Sequence, residues 1–151
     1  MATPRRSLLL SDIGTTLATI TTGNGYKTTV STVEAVGKDW ADVKPGQKPW
    51  IGYVPTAESL EYLPGGVIRS TLPVTLVCHV SGTTQSDRAT KLNDLLDDVI
   101  AVLAVDTTRD SNAISTTIKT VETDEGSPDA IGDGSMVVVL QIAYHRTTAQ
   151  S

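Results

Sequence analysis

The chain has 151 residues, with 12 Lys and Arg against 17 Asp and Glu, for a net charge of −5. That balance argues against binding nucleic acid by phosphate neutralisation, although nucleic acid could pass such a surface without adhering to it. The single cysteine excludes an internal disulfide framework and a multi-cysteine zinc site. With 39% hydrophobic residues the chain can build a packed core, and one domain over 1–151 is the expectation at this length. Aromatics are 4% and Phe is absent, so that core is expected to be aliphatic.

No run approaches the roughly 18 apolar residues of a membrane-crossing helix, and no membrane partner is expected. Thr3-Pro4-Arg5-Arg6-Ser7 superficially resembles a twin-arginine signal, but the apolar run stops after Leu10. A basic first turn on a soluble helix is the expected reading, and the chain reads as a cytoplasmic type. Leu10, Ile13, Leu17 and Ile20 then mark one face of a helix over 5–22, ended by Gly23-Asn24-Gly25. Tyr26 to Ala35, dense in Thr and Val, predicts a strand.

The stretch 36–66 is rich in Pro and Gly and is expected to be an irregular arm with a short strand around Trp50–Val54. Trp40 and Trp50 either pack over the end of a small core or belong to an arm that orders on a partner. From Val67 to Ser81 the chain alternates, with Ile68, Leu72, Val74, Leu76, Cys78 and Val80 on one side. Pro73 inside this long strand implies an edge, a bulge or a bend. Its first part is expected to project beyond the subunit's own sheet.

Residues 84–104 carry the strongest helical period, through Ala89, Leu92, Leu96, Val99 and Leu103, with Thr84 and Asp87 as capping signals. Arg88, Lys91, Asp94, Asp97 and Asp98 are expected on its solvated face. Strands follow at 113–123 and 136–146, joined by a Gly- and Pro-containing loop over 124–135. Both sides of the last strand are apolar near Val137 and Val139, which predicts a central strand covered on both faces. The fold class is α+β: a mixed, mainly antiparallel sheet of four to five strands, two helices on one face, a long bent strand and an extended arm.

Nothing in the sequence assembles into a catalytic, cofactor or metal site. His79 and Cys78 are adjacent on a strand and so point to opposite faces. The glycine turns lead into strands, where no helix N-terminus would face a phosphate. Asp124, Glu125, Asp129 and Asp133 lack the alternate-ligand spacing of a calcium loop. The expectation is a non-enzymatic protein that works through its surfaces.

Two segments carry a family resemblance. Leu9-Leu10-Ser11-Asp12-Ile13 to Ile20, followed by Gly23-Asn24-Gly25-Tyr26-Lys27-Thr28-Thr29-Val30, resembles the N-terminal helix, turn and first strand of tail terminator (tail completion) proteins of long-tailed bacteriophages. Leu76-Val77-Cys78-His79-Val80-Ser81-Gly82, with Asp87-Arg88-Ala89 and Leu92-Asn93-Asp94-Leu95-Leu96-Asp97-Asp98-Val99, is similar to a later strand and helix of that family.

The resemblance implies a virion protein, assembled in the host cytoplasm, that forms a homohexameric ring on the finished tail tube. Such a ring stops tube growth and offers a face to the head–tail connector or stopper. Its partners are copies of itself, the major tail tube protein and the connector, while genome DNA passes through the lumen without specific binding. No cofactor is implied. Trp40, Trp50, Tyr53, Val67, Arg69 and Thr71 are the candidate subunit or tube contacts, supplied by the arm and the long strand through edge pairing. Other neck proteins, such as a head completion protein or connector adaptor, are an alternative reading, and a small ligand-binding domain is a further one.

Overall fold

The computed structural model describes residues 4–37, 43, 45–109, 113–124 and 132–147. Helix α1 (Arg5–Leu17) buries Leu9, Ile13 and Leu17. It stops short of the expected residue 22, because the Thr19 and Ile20 amides bond to the Thr16 and Leu17 carbonyls in a tighter turn. Gly23-Asn24-Gly25 closes a separate short 3-10 turn, Thr22–Asn24, with Gly25 at φ +94° and Asn24 N donating to the Thr21 hydroxyl at 3.2 Å. A left-handed glycine is what that reversal requires.

The expected strand over 26–35 shrinks to β1 (Thr32–Glu34). Backbone donors in the preceding residues are already taken. Lys27 and Thr28 amides donate to the Asp98 carboxylate at 3.0 and 2.8 Å, Val30 N bonds to Ile20 O, and Ser31 N to Pro49 O. Asp98, expected in solvent, is therefore only 3% exposed.

Strand β2 (Trp50–Pro55) fills the expected position but lies inside the sheet, parallel to β1 and antiparallel to the next long strand. A second strand of the segment, β3 (Ser59–Leu63), turns through Pro64, Gly65 and Gly66 into β4 (Val67–Gly82), with both glycines at positive φ. So the described part of the predicted arm supplies two sheet strands. The short apolar alternation in Ser59-Leu60-Glu61-Tyr62-Leu63 was too brief to separate from its Pro-rich surroundings.

Helix α2 (Gln85–Val105) follows the predicted span, and Thr84 caps it by accepting from Asp87 N at 3.0 Å. Strands β5 (Ser115–Asp124) and β6 (Gly132–Thr147) complete a sheet of order β1-β2-β4-β6-β5, with β3 also paired to β4. The architecture is α+β; the described residues form six strands, with all but one pairing antiparallel, and two α-helices on one face. The predicted loop over 124–135 lies partly outside the described residues, and β6 begins within its far end.

Strand β4 does not project from the sheet. Its residues 67–71 pair with β3 on one side and with β6 on the other. Pro73 is tolerated in this interior strand for a local reason. Its carbonyl accepts from Thr56 N at 2.9 Å, so its missing N–H faces the gap between β2 and β3, where no strand needs it.

Even-numbered side chains of β4 and β6 point under the helices. Leu72, Val74, Leu76, Val138, Leu140 and Ile142 are all fully buried with Leu9, Ile13, Leu92, Leu95 and Val99 in one apolar cluster. Each such side chain contributes about 1.5–3 kcal/mol on leaving water. The predicted coverage of β6 on both faces does not hold among the described residues. Val137, Val139, Gln141 and Ala143 are half-buried on a face that carries no helix.

Arg88, expected on the solvated face of α2, and Arg109 are both fully buried. Arg88 sits under the start of α2 with its guanidinium on the Gly82 carbonyl at 3.3 Å. Arg109, at φ +50°, follows α2 and donates to Leu103 O at 2.9 Å, while pairing with Asp12 of α1 at 3.2 Å. A cation on the last carbonyls of a helix also suits its dipole.

Asp98 provides the test of this arrangement. Asp98→Ala strips the acceptor from two backbone amides and is expected to lower stability by about 2–3 kcal/mol. Asp98→Asn keeps one acceptor oxygen and should lose roughly half of that. Urea denaturation of both variants measures the difference.

Candidate functional site

The candidate contact residues fall in different environments. Trp40 lies outside the described residues. Trp50 is fully buried, stacked on His79 with ring centroids 5.4 Å apart, and its indole N–H donates to Glu34 Oε1 at 3.0 Å. A Cβ at Gly52 would run into this ring and the Val36 carbonyl, so glycine lets the indole lie flat on the strand. Within the subunit Trp50 is enclosed on the helix-free side of the sheet beside His79, outside the apolar cluster under the helices. The large apolar ring and its single hydrogen-bond partner are both supplied within the subunit.

Tyr53 is half-buried on the helix side, its ring against Gly14 of α1, where any Cβ would collide with the phenol. Beside it runs a shallow groove of about 400 Å³, lined by Ser11, Gly14, Thr15, Ala18, Val33 and Tyr53. Val67 and Thr71 are half-buried and Arg69 is exposed. All three lie on the helix-free side of β4, and both edges of the strand there are occupied by β3 and β6. These residues can offer side chains to a partner, but their backbone is not available for edge pairing.

Available backbone lies elsewhere. The outer side of β3 has no partner among the described residues, and this strand carries Leu60 at 47% and Tyr62 at 71% exposure. Sequence reasoning expected edges from both the arm and the following strand; the open one belongs to β3, within the arm's residues. The outer side of β5 is also open, but a bulge between Ile118 and Thr120, with Lys119 at it, interrupts its regular outline. Bulges and lysines are common protections of a sheet edge.

The helix-free face extends across β2, β4, β6 and β5. Cross-strand rows read Val54, Thr75, Val139 and Thr120, then Val77 and Val137, then Pro73, Gln141 and Thr117, then Thr71, Ala143 and Ser115. The row of Val77 and Val137 continues to the exposed Glu122 of β5, and the other positions are uncharged and mostly short or β-branched. Beyond them, Arg69 and His145 pair across the strands and are both exposed. Glu61 of β3 lies opposite Arg69 and is exposed too, so this end of the face carries both signs of charge.

At that end a polar tie joins distant parts of the chain. Glu58, between β2 and β3, accepts from Arg6 Nε at 3.1 Å, from the Tyr144 hydroxyl at 2.8 Å and from Arg146 Nη2 at 2.8 Å. Arg146 also bonds to the Tyr144 hydroxyl, and its guanidinium lies 5.2 Å from that ring. Burial pushes the Tyr144 phenol above its ordinary range. The groups bond one another as a structural clamp, although Arg146 Nε is buried without a hydrogen-bond partner.

The candidate reactive groups are separated as the alternation requires. Cys78 is fully buried on the helix side, and burial pushes its thiol up to about 12. His79 lies on the other face, with Nδ1 3.0 Å from the Ser135 hydroxyl. Among the described residues no group of three or more His, Cys, Asp or Glu could hold a metal. No helix among them is long and apolar enough to cross a membrane. Neither a protein-family model nor a curated protein sequence matches the chain.

Two measurements check these placements. Trp50→Ala is expected to cost about 3–5 kcal/mol, the range for emptying a buried aromatic site, and thermal melting of the purified variant reads it directly. Cys78, neutral and shielded at pH 7, should resist an aromatic disulfide reagent in the folded protein. Its modification rate should follow the population of unfolded chain as urea is raised.

Proposed function

We propose that this chain is a structural subunit of a bacteriophage virion, a tail terminator that forms a hexameric ring on the tail tube. In this reading the ring ends tube growth at the neck end of the tail and docks the head-tail connector, with genome DNA passing through its lumen. The sequence resemblance supports the identity of the assembly. The observation that carries the surface-based reading is the one-sided coverage of the sheet. Helices bury one face, while the other carries no helix among the described residues and is largely half-buried, with one edge of β3 left open at its margin. A ring of identical subunits needs two different complementary surfaces on each copy, and such a fold offers distinct front and back faces.

Acidic composition fits a passage for DNA, because a lumen of like charge repels the phosphates and lets the genome slide. A second reading, a small ligand-binding domain, draws on the groove between α1 and β2. Calorimetric titration of divalent cations and small metabolites against the monomer tests it.

The ring reading predicts a six-fold particle of about six times the subunit mass by light scattering at micromolar concentration or above. Negative-stain images should show a ring, and adding the protein to growing tail tubes should arrest their elongation. A chain that stays monomeric at every concentration, with and without tubes, would overturn the reading.

A further inference from the structure

The exposed reversal after α1 ends in Asn24-Gly25, a pair with chemistry of its own. The backbone nitrogen that follows an asparagine can attack its side-chain amide carbon, and a Cβ on the attacking residue crowds that approach. Glycine has no Cβ. Of the three asparagines, Asn24, Asn93 and Asn112, Asn24 alone precedes a glycine. Asn93 lies inside α2 and is followed by Asp94, whose nitrogen is held in the helical ladder. Asn112 lies outside the described residues.

Thr22, Gly23, Asn24 and Gly25 are all exposed, and a Cβ at Gly25 would meet nothing within 4 Å. Solvent therefore reaches both reacting groups. The closed turn engages each of them: Gly25 N donates to Thr22 O at 3.1 Å, and Asn24 Nδ2 donates to Thr19 O at 2.8 Å. The Asn24 and Tyr26 amides converge on Thr21 O at 3.1 and 3.2 Å. Residues 21–25 contribute nothing to the apolar cluster, so this reversal opens without exposing the core. Local openings of that kind cost far less than global unfolding.

We propose that Asn24 is a site of covalent self-modification, in which the Gly25 nitrogen of the opened turn attacks Asn24 Cγ and the side-chain nitrogen leaves as ammonia. The Gly25 amide gives its proton to solvent base and its nitrogen bonds to Cγ. The Cγ–Nδ2 bond breaks, and Nδ2 takes a proton from water. Water then opens the five-membered imide. Cleavage of the new bond to Cγ gives aspartate, whereas cleavage of the original peptide bond gives isoaspartate, with the chain running through the side-chain carbon. No oxidant, reductant or second copy takes part, and the step stands apart from the ring reading.

Either product loosens the segment that follows. Thr19 O loses its donor and faces a carboxylate, and the new negative charge lies near the carbonyl end of α1, where a helix dipole disfavours it. Isoaspartate also adds a carbon to the backbone inside a reversal closed by three amides. That reversal delivers the Lys27 and Thr28 amides to Asp98 on α2. The modified chain therefore keeps its sheet and apolar cluster but holds residues 26–30 less firmly.

The test incubates the full chain at mildly alkaline pH and body temperature beside a peptide of residues 19–29. Mass-spectrometric peptide mapping, with isoaspartyl methyltransferase as the probe for the rearranged backbone, follows residue 24. The folded chain is expected to gain aspartate and isoaspartate at that position, more slowly than the peptide because the turn must open first. Asn24→Ser has no amide nitrogen to lose and should stay unmodified. Asn24→Asp reproduces one product; its Lys27 and Thr28 amides should exchange with solvent about tenfold faster, and its Tm should fall by about 2–4 °C. A folded chain that stays intact while the peptide converts overturns the proposal, as does equal conversion in Asn24→Ser or earlier conversion at Asn93. Conversion at Asn24 with parent-like exchange in Asn24→Asp supports the site and overturns the loosening.

Discussion

The pairing of β4 with β6 is the constraint on which the other elements depend. Both strands are 16 residues long and remain in register from Val67 opposite Thr147 to Gly82 opposite Gly132. A slip by one residue would turn Leu72, Val74 and Leu76 away from the helices and set Pro73 and Thr75 in the core. The alternation in each strand is therefore enough to fix the ladder, and the ladder presents one continuous apolar surface. Both helices pack on it, and the shorter strands attach along its margins.

Polar groups then determine how the remaining backbone approaches that frame. Asp98 draws the segment after the 3-10 turn onto α2, and in doing so takes donors that a longer β1 would have used. Arg109 anchors the end of α2 to α1 through Leu103 O and Asp12. Neither role follows from helical periodicity, because a carboxylate or guanidinium on a helix flank reads as solvated until a loop is placed beside it. Arg88 is the clearest example. It occupies the first turns of α2 in sequence, yet Gly82 and Gly134 bring two strands close enough to enclose it.

Legibility in the sequence followed the length and regularity of each pattern. The spans of α2 and β4 and the burial of Cys78 could be read because period and burial agree over many residues. The α+β class followed from those elements. β3 and the interior position of β2 could not be read, since five or six residues between prolines carry too little pattern to compete with a loop. Pro73 was misleading for a different reason. It forbids one hydrogen bond on one side of a strand, and the sequence does not reveal that two separate strands share that side and leave a gap opposite it. The candidate contacts divide along the same line. Trp50 could not be assigned before its neighbours His79 and Glu34 were known, whereas Arg69 stands in the open as its place in the alternation implied.

Glu58 has a topological consequence. By accepting from Arg6 in the first turn of α1 and from Arg146 near the end of β6, it fastens a helix of one layer to a strand of the other. Three segments far apart in sequence thus meet at a single carboxylate, and neutralising it in acid would loosen that corner of the fold before the apolar cluster is touched.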